Sequence, residues 1–345
     1  MSEKDFLMAR RLAECPVQFV QTDQGKFAFH VDGPADAPAT WVALHGSHGT
    51  RLQWLYPTRP PDVRIIAITR AGYGESDDID PRKFQYEMTA DIVKAVLDKL
   101  SIDTFHVVGH SGGGPHVIAV KALLSPRCQR CVVLDGESEY KTDPTIDTIG
   151  MHIFGPHGCC SSCGLCCAFP CALRFMLGGM GVKSDWCCKT PYQEWELKEG
   201  LSAEEMKIFD GMNVGDDKDQ LGENAMMFAA CGVKMMNDGW QRGRKVNGPI
   251  NDVWAPKKGW NFLAKLSDGT ISGADVEIWA AEHDQGVPRK VSEHNHKLIP
   301  GSTLNIARGL GHCGVAYPVF VTERFASPPT SNAPWPPSQM QMSKN

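Results

Sequence analysis

A chain of 345 residues can bury a large core, as one big α/β domain or as a core with a second lobe, and is too long for a single small module. Its net charge of −5, with Lys and Arg scattered rather than clustered, argues against a nucleic-acid partner. No stretch reaches the roughly 18 consecutive apolar residues of a spanning helix, and Glu3, Lys4, Asp5, Arg10, Arg11 and Glu14 interrupt the start, so the sequence reads as soluble and cytoplasmic.

In chain order, residues 17 to 31 alternate apolar and polar, with Val17 and Phe19 and then Phe27, Phe29 and Val31, as an antiparallel hairpin at a sheet edge would. Short, nearly continuous apolar runs follow: Trp41 to Leu44, Val63 to Thr69, Phe105 to Val108, Cys131 to Leu134, Val276 to Ala280 and Thr303 to Ala307. Such runs suit strands buried on both faces of a parallel sheet. Between two of them Ile92, Val93, Val96, Leu97 and Leu100 make one apolar helical face, so the repeat is strand, helix, strand. The fold class predicted is α/β, a mostly parallel, doubly wound sheet. The rhythm breaks over 138–266, which reads as an inserted helical cap on a core formed by 1–137 and 267–326. Residues 327–345, rich in Pro, Ser, Asn and Gln, read as a disordered tail.

The strand at 105–108 runs into Gly109-His-Ser-Gly-Gly, and a glycine-led apolar helix follows at once. A sharp strand-to-helix turn of this kind lifts the Ser111 hydroxyl out of the sheet, and glycine at 109 and 113 lets strand and helix pass closely. A serine needs a histidine to take its proton and a carboxylate to hold that histidine in the right tautomer. Downstream, Asp284 follows the strand ending at Ala280, and His312 follows the strand ending at Ala307, both on the same sheet edge as Ser111. Asp135, at the end of another strand, is an alternative acid, and Glu282 lies two residues from Asp284. After Leu44, the loop His45-Gly-Ser-His-Gly49 can aim the Ser47 amide at a developing oxyanion, with Gly112 supplying the second donor and His45, Gly46 and Gly49 supporting the loop. His110 is read as lining the pocket and His116 as packing under the sheet.

These motifs resemble the α/β-hydrolase fold superfamily, in the group carrying a His-Gly-x-x-Gly loop (His45 to Gly49), an Arg-x-Gly-Tyr-Gly-x-Ser-Asp segment (Arg70 to Asp77) and a Gly-x-Ser-Gly-Gly-Gly-Pro-His elbow (Gly109 to His116). Ala71 and His48 stand where the family usually or often has proline. The resemblance covers about residues 17–135 and 270–325. It implies the catalytic order Ser111, Asp284, His312 and a hydrolase acting on an ester, amide or similar bond; relatives that open epoxides or remove halides carry a carboxylate at the position of Ser111.

Eight of the thirteen cysteines lie in thirty residues: Cys159, Cys160, Cys163, Cys166, Cys167 and Cys171, then Cys187 and Cys188. The odd total and the doublets fit a reducing compartment rather than a disulfide scaffold. Free thiols in an apolar cap wall are the first reading of the cluster. Membrane or acyl contact and a structural zinc site are the alternatives. Between Asp147 and Lys183 the only charged residue is Arg174, so a cap there favours a lipophilic small-molecule substrate. No phosphate-binding loop or dinucleotide fingerprint occurs, and no cofactor is expected. The sequence therefore predicts a serine hydrolase cleaving a small or medium apolar carboxylic ester. An aminopeptidase using Glu194, Glu196, Glu199, Glu204 and Glu205, a slow or non-catalytic binding protein, and a lyase borrowing the triad remain as alternatives.

Overall fold

The computed structural model describes residues 3–47, 49–55, 62–140, 143, 146, 247–284, 286–308, 311, 312 and 315. The cysteine cluster, Glu194 to Glu205, His48 and the tail lie outside them.

Among the described residues, eight strands form one sheet in the order β1-β2-β4-β3-β5-β6-β7-β8. They are β1 (Gln18–Thr22), β2 (Gly25–Asp32), β3 (Ala39–Leu44), β4 (Val63–Ile68), β5 (Phe105–His110), β6 (Cys128–Leu134), β7 (Val276–Ala281) and β8 (Thr303–Ala307). The alternating segment forms the antiparallel β1–β2 pair at one edge, and β2 joins β4 antiparallel. From β4 through β8 every pairing is parallel. The apolar runs are the central strands: β4 reads Val-Arg-Ile-Ile-Ala-Ile and all six residues of β7 are buried. Burial on both faces requires helices on both sides.

Helix α1 (Glu3–Glu14) precedes the hairpin and is tied to it by the buried ion pair of Arg11 with Asp32. The apolar face expected at 92–100 is on α2 (Glu87–Lys99), which buries Ile92, Val93, Val96 and Leu97. Helix α3 (Gly114–Leu124) is apolar apart from His116 and Lys121 and is buried from Gly114 to Ala122. A helix buried all round belongs under the sheet rather than at the surface. Helix α4 (Asn247–Lys258) and the turn at 261–263 come from the stretch assigned to the insertion, and their described contacts are with the core. Ala255, Trp260 and Phe262 join the same apolar cluster as α2 and α3. Helix α5 (Arg289–Leu298) packs beside β7 and β8.

The parallel strands point one way, so the loops after β3, β5, β6, β7 and β8 gather at one edge. Those loops carry His45 to Ser47, Ser111, Asp135, Asp284 and His312.

Candidate active site

Ser111 directly follows β5 and opens a short 3-10 turn, Ser111–Gly113, that leads into α3. Its φ is +52°, in the left-handed region that non-glycine residues rarely occupy. Such strain persists only where the surroundings enforce it. Here they do: a Cβ at Gly109 would lie 2.6 Å from the Gly113 carbonyl oxygen, so the chain before and after the serine is in backbone contact. The hydroxyl is held at the sheet edge by that turn, with Ser111 only 8% exposed.

The structure brings the three separated residues into one hydrogen-bonded chain. The Ser111 hydroxyl donates to His312 Nε2 at 2.9 Å, and His312 Nδ1 donates to Asp284 Oδ2 at 2.6 Å. The other Asp284 oxygen accepts the amides of Gly286 and Val287 at 2.7 and 2.8 Å. Burial works against ionisation of Asp284, yet the His312 partner, the Val287 amide and a hydrogen bond with Asp135 hold its carboxyl below the usual range. This hydrogen-bond set fixes the imidazole with its proton on Nδ1 and a lone pair toward the serine.

The loop after β3 lies beside the elbow. An ideal Cβ on Gly112 would be 3.2 Å from the Ser47 amide nitrogen and 2.3 Å from the Ser47 hydroxyl. Gly46 and Gly49 make a tight turn, Gly49 N–H to Gly46 O at 3.1 Å. His45 braces it: its Nδ1 donates to the Gly46 carbonyl at 2.7 Å and its Nε2 accepts the Arg70 amide at 2.9 Å. Burial, reinforced by the Arg70 charge, drives the His45 pKa well below its ordinary value, so the ring is a neutral strut.

His110 sits in the site wall. Its Nε2 donates to the His312 carbonyl at 2.8 Å, and Nδ1 accepts from Gln53 at 3.0 Å. Gln53 in turn accepts the Gly46 amide at 2.9 Å. One relay therefore joins the base-bearing loop to the loop that carries the Ser47 amide. Burial and the adjacent His312 push His110 down to about 3, which keeps it neutral. His116 lies under the sheet, between Arg70 Nη1 at 2.9 Å and the Thr89 hydroxyl at 2.7 Å.

Sequence reasoning missed a second layer centred on Asp252 of α4. Its carboxylate accepts the Ser47 hydroxyl at 2.7 Å, the Tyr73 hydroxyl at 2.5 Å and both Arg70 nitrogens at 2.5 and 3.0 Å. Burial would raise its pKa, but Arg70 and His116 hold it far below the carboxylate range. The available signal was the Arg70 to Asp77 segment, whose buried arginine demands a carboxylate partner. Nothing in sequence spacing points to residue 252 as that partner. Glu137 was also missed. Its amide bonds the Ser111 carbonyl at 3.1 Å, and its carboxyl, bonded to Tyr140, is raised by burial to about 7.

Among the described residues, Asp135, Asp284 and His312 are the one group of His, Cys, Asp and Glu close enough to hold a metal ion, with one ligating atom each inside 4.8 Å. Their hydrogen bonds to one another and to Ser111 account for them as a proton-handling set. Cys15, Cys128 and Cys131 are free and buried. A cleft of about 490 Å³ lined by Lys121, Cys128, Thr270 and Asp275 lies at the opposite end of the parallel strands and shares no residue with this site. No helix among the described residues is long and apolar enough to cross a membrane.

Comparison with known proteins bears on the fold. A family model described as alpha/beta hydrolase fold matches residues 43–153. A 2-hydroxy-6-oxononadienedioate/2-hydroxy-6-oxononatrienedioate hydrolase of Klebsiella pneumoniae is 28% identical over 303 residues, covering 86% of this chain and 88% of its own. Among solved structures, an alpha/beta hydrolase fold protein from Nakamurella multipartita superposes with a TM-score of 0.59 at 19% identity, over 90% of this chain and 97% of that one. The enol-lactonase from Burkholderia xenovorans LB400 superposes with a TM-score of 0.58 at 13% identity, over 90% and 98%.

Proposed function

We propose that the chain, which has the α/β-hydrolase fold, is a serine hydrolase cleaving small or medium apolar carboxylic esters through an acyl-enzyme. The observation that carries the reading is the unbroken chain from the Asp284 carboxylate through His312 to the Ser111 hydroxyl, 2.6 and 2.9 Å.

In this reading His312 takes the Ser111 proton as Oγ attacks the substrate carbonyl. Asp284 holds the imidazole in the required tautomer and stabilises the imidazolium. The carbonyl oxygen becomes an oxyanion facing the amides of Ser47 and Gly112, donors of a kind worth about 3 kcal/mol each in the transition state. His312 returns the proton to the leaving alkoxide, and water repeats the sequence to release the acid. The preference for an apolar acyl chain rests on the nearly uncharged stretch between Asp147 and Lys183.

The similarity to an enzyme named for 2-hydroxy-6-oxononadienedioate supports a second reading, hydrolysis beside a ketone in an unsaturated oxo-dicarboxylate. Among the described residues, the buried arginine of the site layer, Arg70, is occupied by Asp252, which favours the uncharged ester. Two assays on the parent and on Ser111→Ala separate the readings: p-nitrophenyl esters from acetate to octanoate, and a 6-oxo-dienedioate. Ester turnover abolished by Ser111→Ala, with a chain-length optimum, supports the first. Turnover of the oxo-dicarboxylate alone would replace it with the second.

A further inference from the structure

Asp135 is fully buried at the carboxyl end of β6 and does nothing in the mechanism above. Its φ is +43°, the same left-handed strain that marks Ser111. That conformation is imposed by two bonds to β7: its amide to the Trp279 carbonyl at 2.8 Å, and its Oδ1 accepting the Ala281 amide at 2.7 Å. The side chain is thereby aimed at the base of the triad. One oxygen of Asp135, one of Asp284 and one nitrogen of His312 lie within 4.8 Å of each other. Two carboxyls this close in a buried site repel when both are ionised, so one of them keeps its proton.

We propose that Asp135 and Asp284 are an acid pair holding one proton, so that a single negative charge stands behind His312 and Asp135 carries it only when Asp284 cannot. Asp284 is the ionised member, since its oxygens accept Gly286, Val287 and His312. Asp135 carries the proton and donates it to Asp284, acting as a positioning residue. The other ionisable groups around the pair are His312 from the loop after β8, His110 from β5 and Glu137 from the β6 exit. His110 is bonded to the His312 carbonyl, and the Glu137 carboxyl accepts the Tyr140 hydroxyl. No proton moves within the pair when His312 takes the serine proton. When Asp284 is replaced by asparagine, Asp135 releases its proton to solvent and becomes the carboxylate facing the imidazole.

The inference rests on the triad reading, so its test avoids any choice of substrate. Fluorophosphonate labelling rates of Ser111 are measured for the parent, Asp135→Asn, Asp284→Asn and the double variant, with thermal melts to confirm folding. The low-field proton resonance of His312 Nδ1–H is followed in the same four proteins. Losing the acid of a lone triad costs about 10⁴-fold. With the pair, Asp284→Asn loses about 10²-fold, Asp135→Asn under about 10-fold, and only the double variant reaches about 10⁴-fold. The resonance persists in Asp284→Asn and disappears in the double variant. Equal labelling in Asp284→Asn and the double variant, or loss of the resonance in Asp284→Asn, overturns the proposal. A parent that is not labelled at all counts against the serine-hydrolase reading instead, and the resonance still decides the pair.

Discussion

Ser47 and Asp252 are 205 residues apart in the chain and joined by a 2.7 Å hydrogen bond. That bond matters because the Ser47 amide, beside Gly112, is a proposed oxyanion donor, and its position follows its side chain. Asp252 belongs to α4, which lies within the stretch assigned to the cap yet packs on the core, and the Gly248 amide bonds the Gly72 carbonyl at 3.2 Å. The same carboxylate neutralises the buried Arg70. One group thus serves both stability and transition-state geometry.

The two roles separate by substitution. Asp252→Ala leaves the Arg70 charge buried without its carboxylate, and removing one partner of such a pair costs about 3 to 5 kcal/mol. Asp252→Asn keeps hydrogen bonding and removes the charge, so it should melt closer to the parent. Both should lower kcat, by about 10-fold or more, because a loosened donor acts in the transition state rather than in substrate binding. Chemical denaturation with steady-state kinetics on both variants checks this; unchanged kcat in both would show that Ser47 is held by other means.

Glu137 gives the site a second ionisation. Burial lifts its carboxyl to about 7, and it interacts with the charge that His312 acquires. Above that value an ionised Glu137 favours the imidazolium, so kcat/KM should carry an inflection near pH 7. Glu137→Gln should remove that inflection while leaving the limb set by His312. A profile identical to the parent would show that Glu137 ionises without sensing the triad.

Much of this was legible before the structure, for specific reasons. β4 and β7 are apolar apart from Arg64 and Glu277 because both faces are covered, and Ser111, Asp284 and His312 follow strands whose ends a doubly wound sheet must gather. Chain order and local chemistry suffice for those. The Asp252 layer was invisible because it joins Asp252 to Arg70 and Ser47, 182 and 205 residues away, which no local period encodes. The sequence offers Asp135 only as a substitute for Asp284; that the two carboxyls lie within 4.8 Å depends on the β6–β7 register, Val133 opposite Ile278 and Leu134 opposite Trp279.

Acid should unfold the protein early. Burial and neighbouring cations depress His30 and His45 well below the ordinary histidine value, His110 to about 3 and His116 to about 4. The unfolded chain binds protons on these rings below about pH 6.5 and the folded chain does not. Their contribution is therefore complete above about pH 6.5 and is lost as pH falls toward the folded values. Asp252 and Asp284, depressed carboxyls, add a further loss below about pH 4. Glu137 works in the opposite direction between about pH 4.5 and 7, since the folded state keeps a proton that the unfolded state releases. Four rings outweigh one carboxyl, so stability should fall on acidification from neutrality. His116→Gln should reduce the slope between pH 6.5 and 4 by up to about 1.4 kcal/mol per pH unit. Denaturant midpoints across that range measure it, and a slope equal to the parent's would mean His116 is protonated in place.

The elbow glycines should fail in different ways when given a methyl group. At Gly109 the added carbon meets the Gly113 carbonyl oxygen at 2.6 Å and the Val117 side chain at 2.8 Å. The first obstacle is backbone on the other side of the turn, so Gly109→Ala must separate β5 from α3 and should lose several kcal/mol of stability or fail to fold, as strain in a packed core does. At Gly112 the carbon meets the Ser47 hydroxyl at 2.3 Å, and the Ser47 amide and Asp252 Oδ2 only at 3.2 and 3.3 Å. A hydroxyl can rotate away, so Gly112→Ala should fold. Rotation breaks the Ser47–Asp252 bond, however, and the new methyl crowds the space beside the Ser47 amide where the oxyanion is to sit. Removing an oxyanion donor costs about 10² to 10³ in kcat. Gly112→Ala should therefore keep a parent-like melting curve while losing kcat on that scale, with KM little changed. Stability lost at Gly112 as severely as at Gly109, or full activity retained, would argue that the oxyanion is held elsewhere than between these two loops.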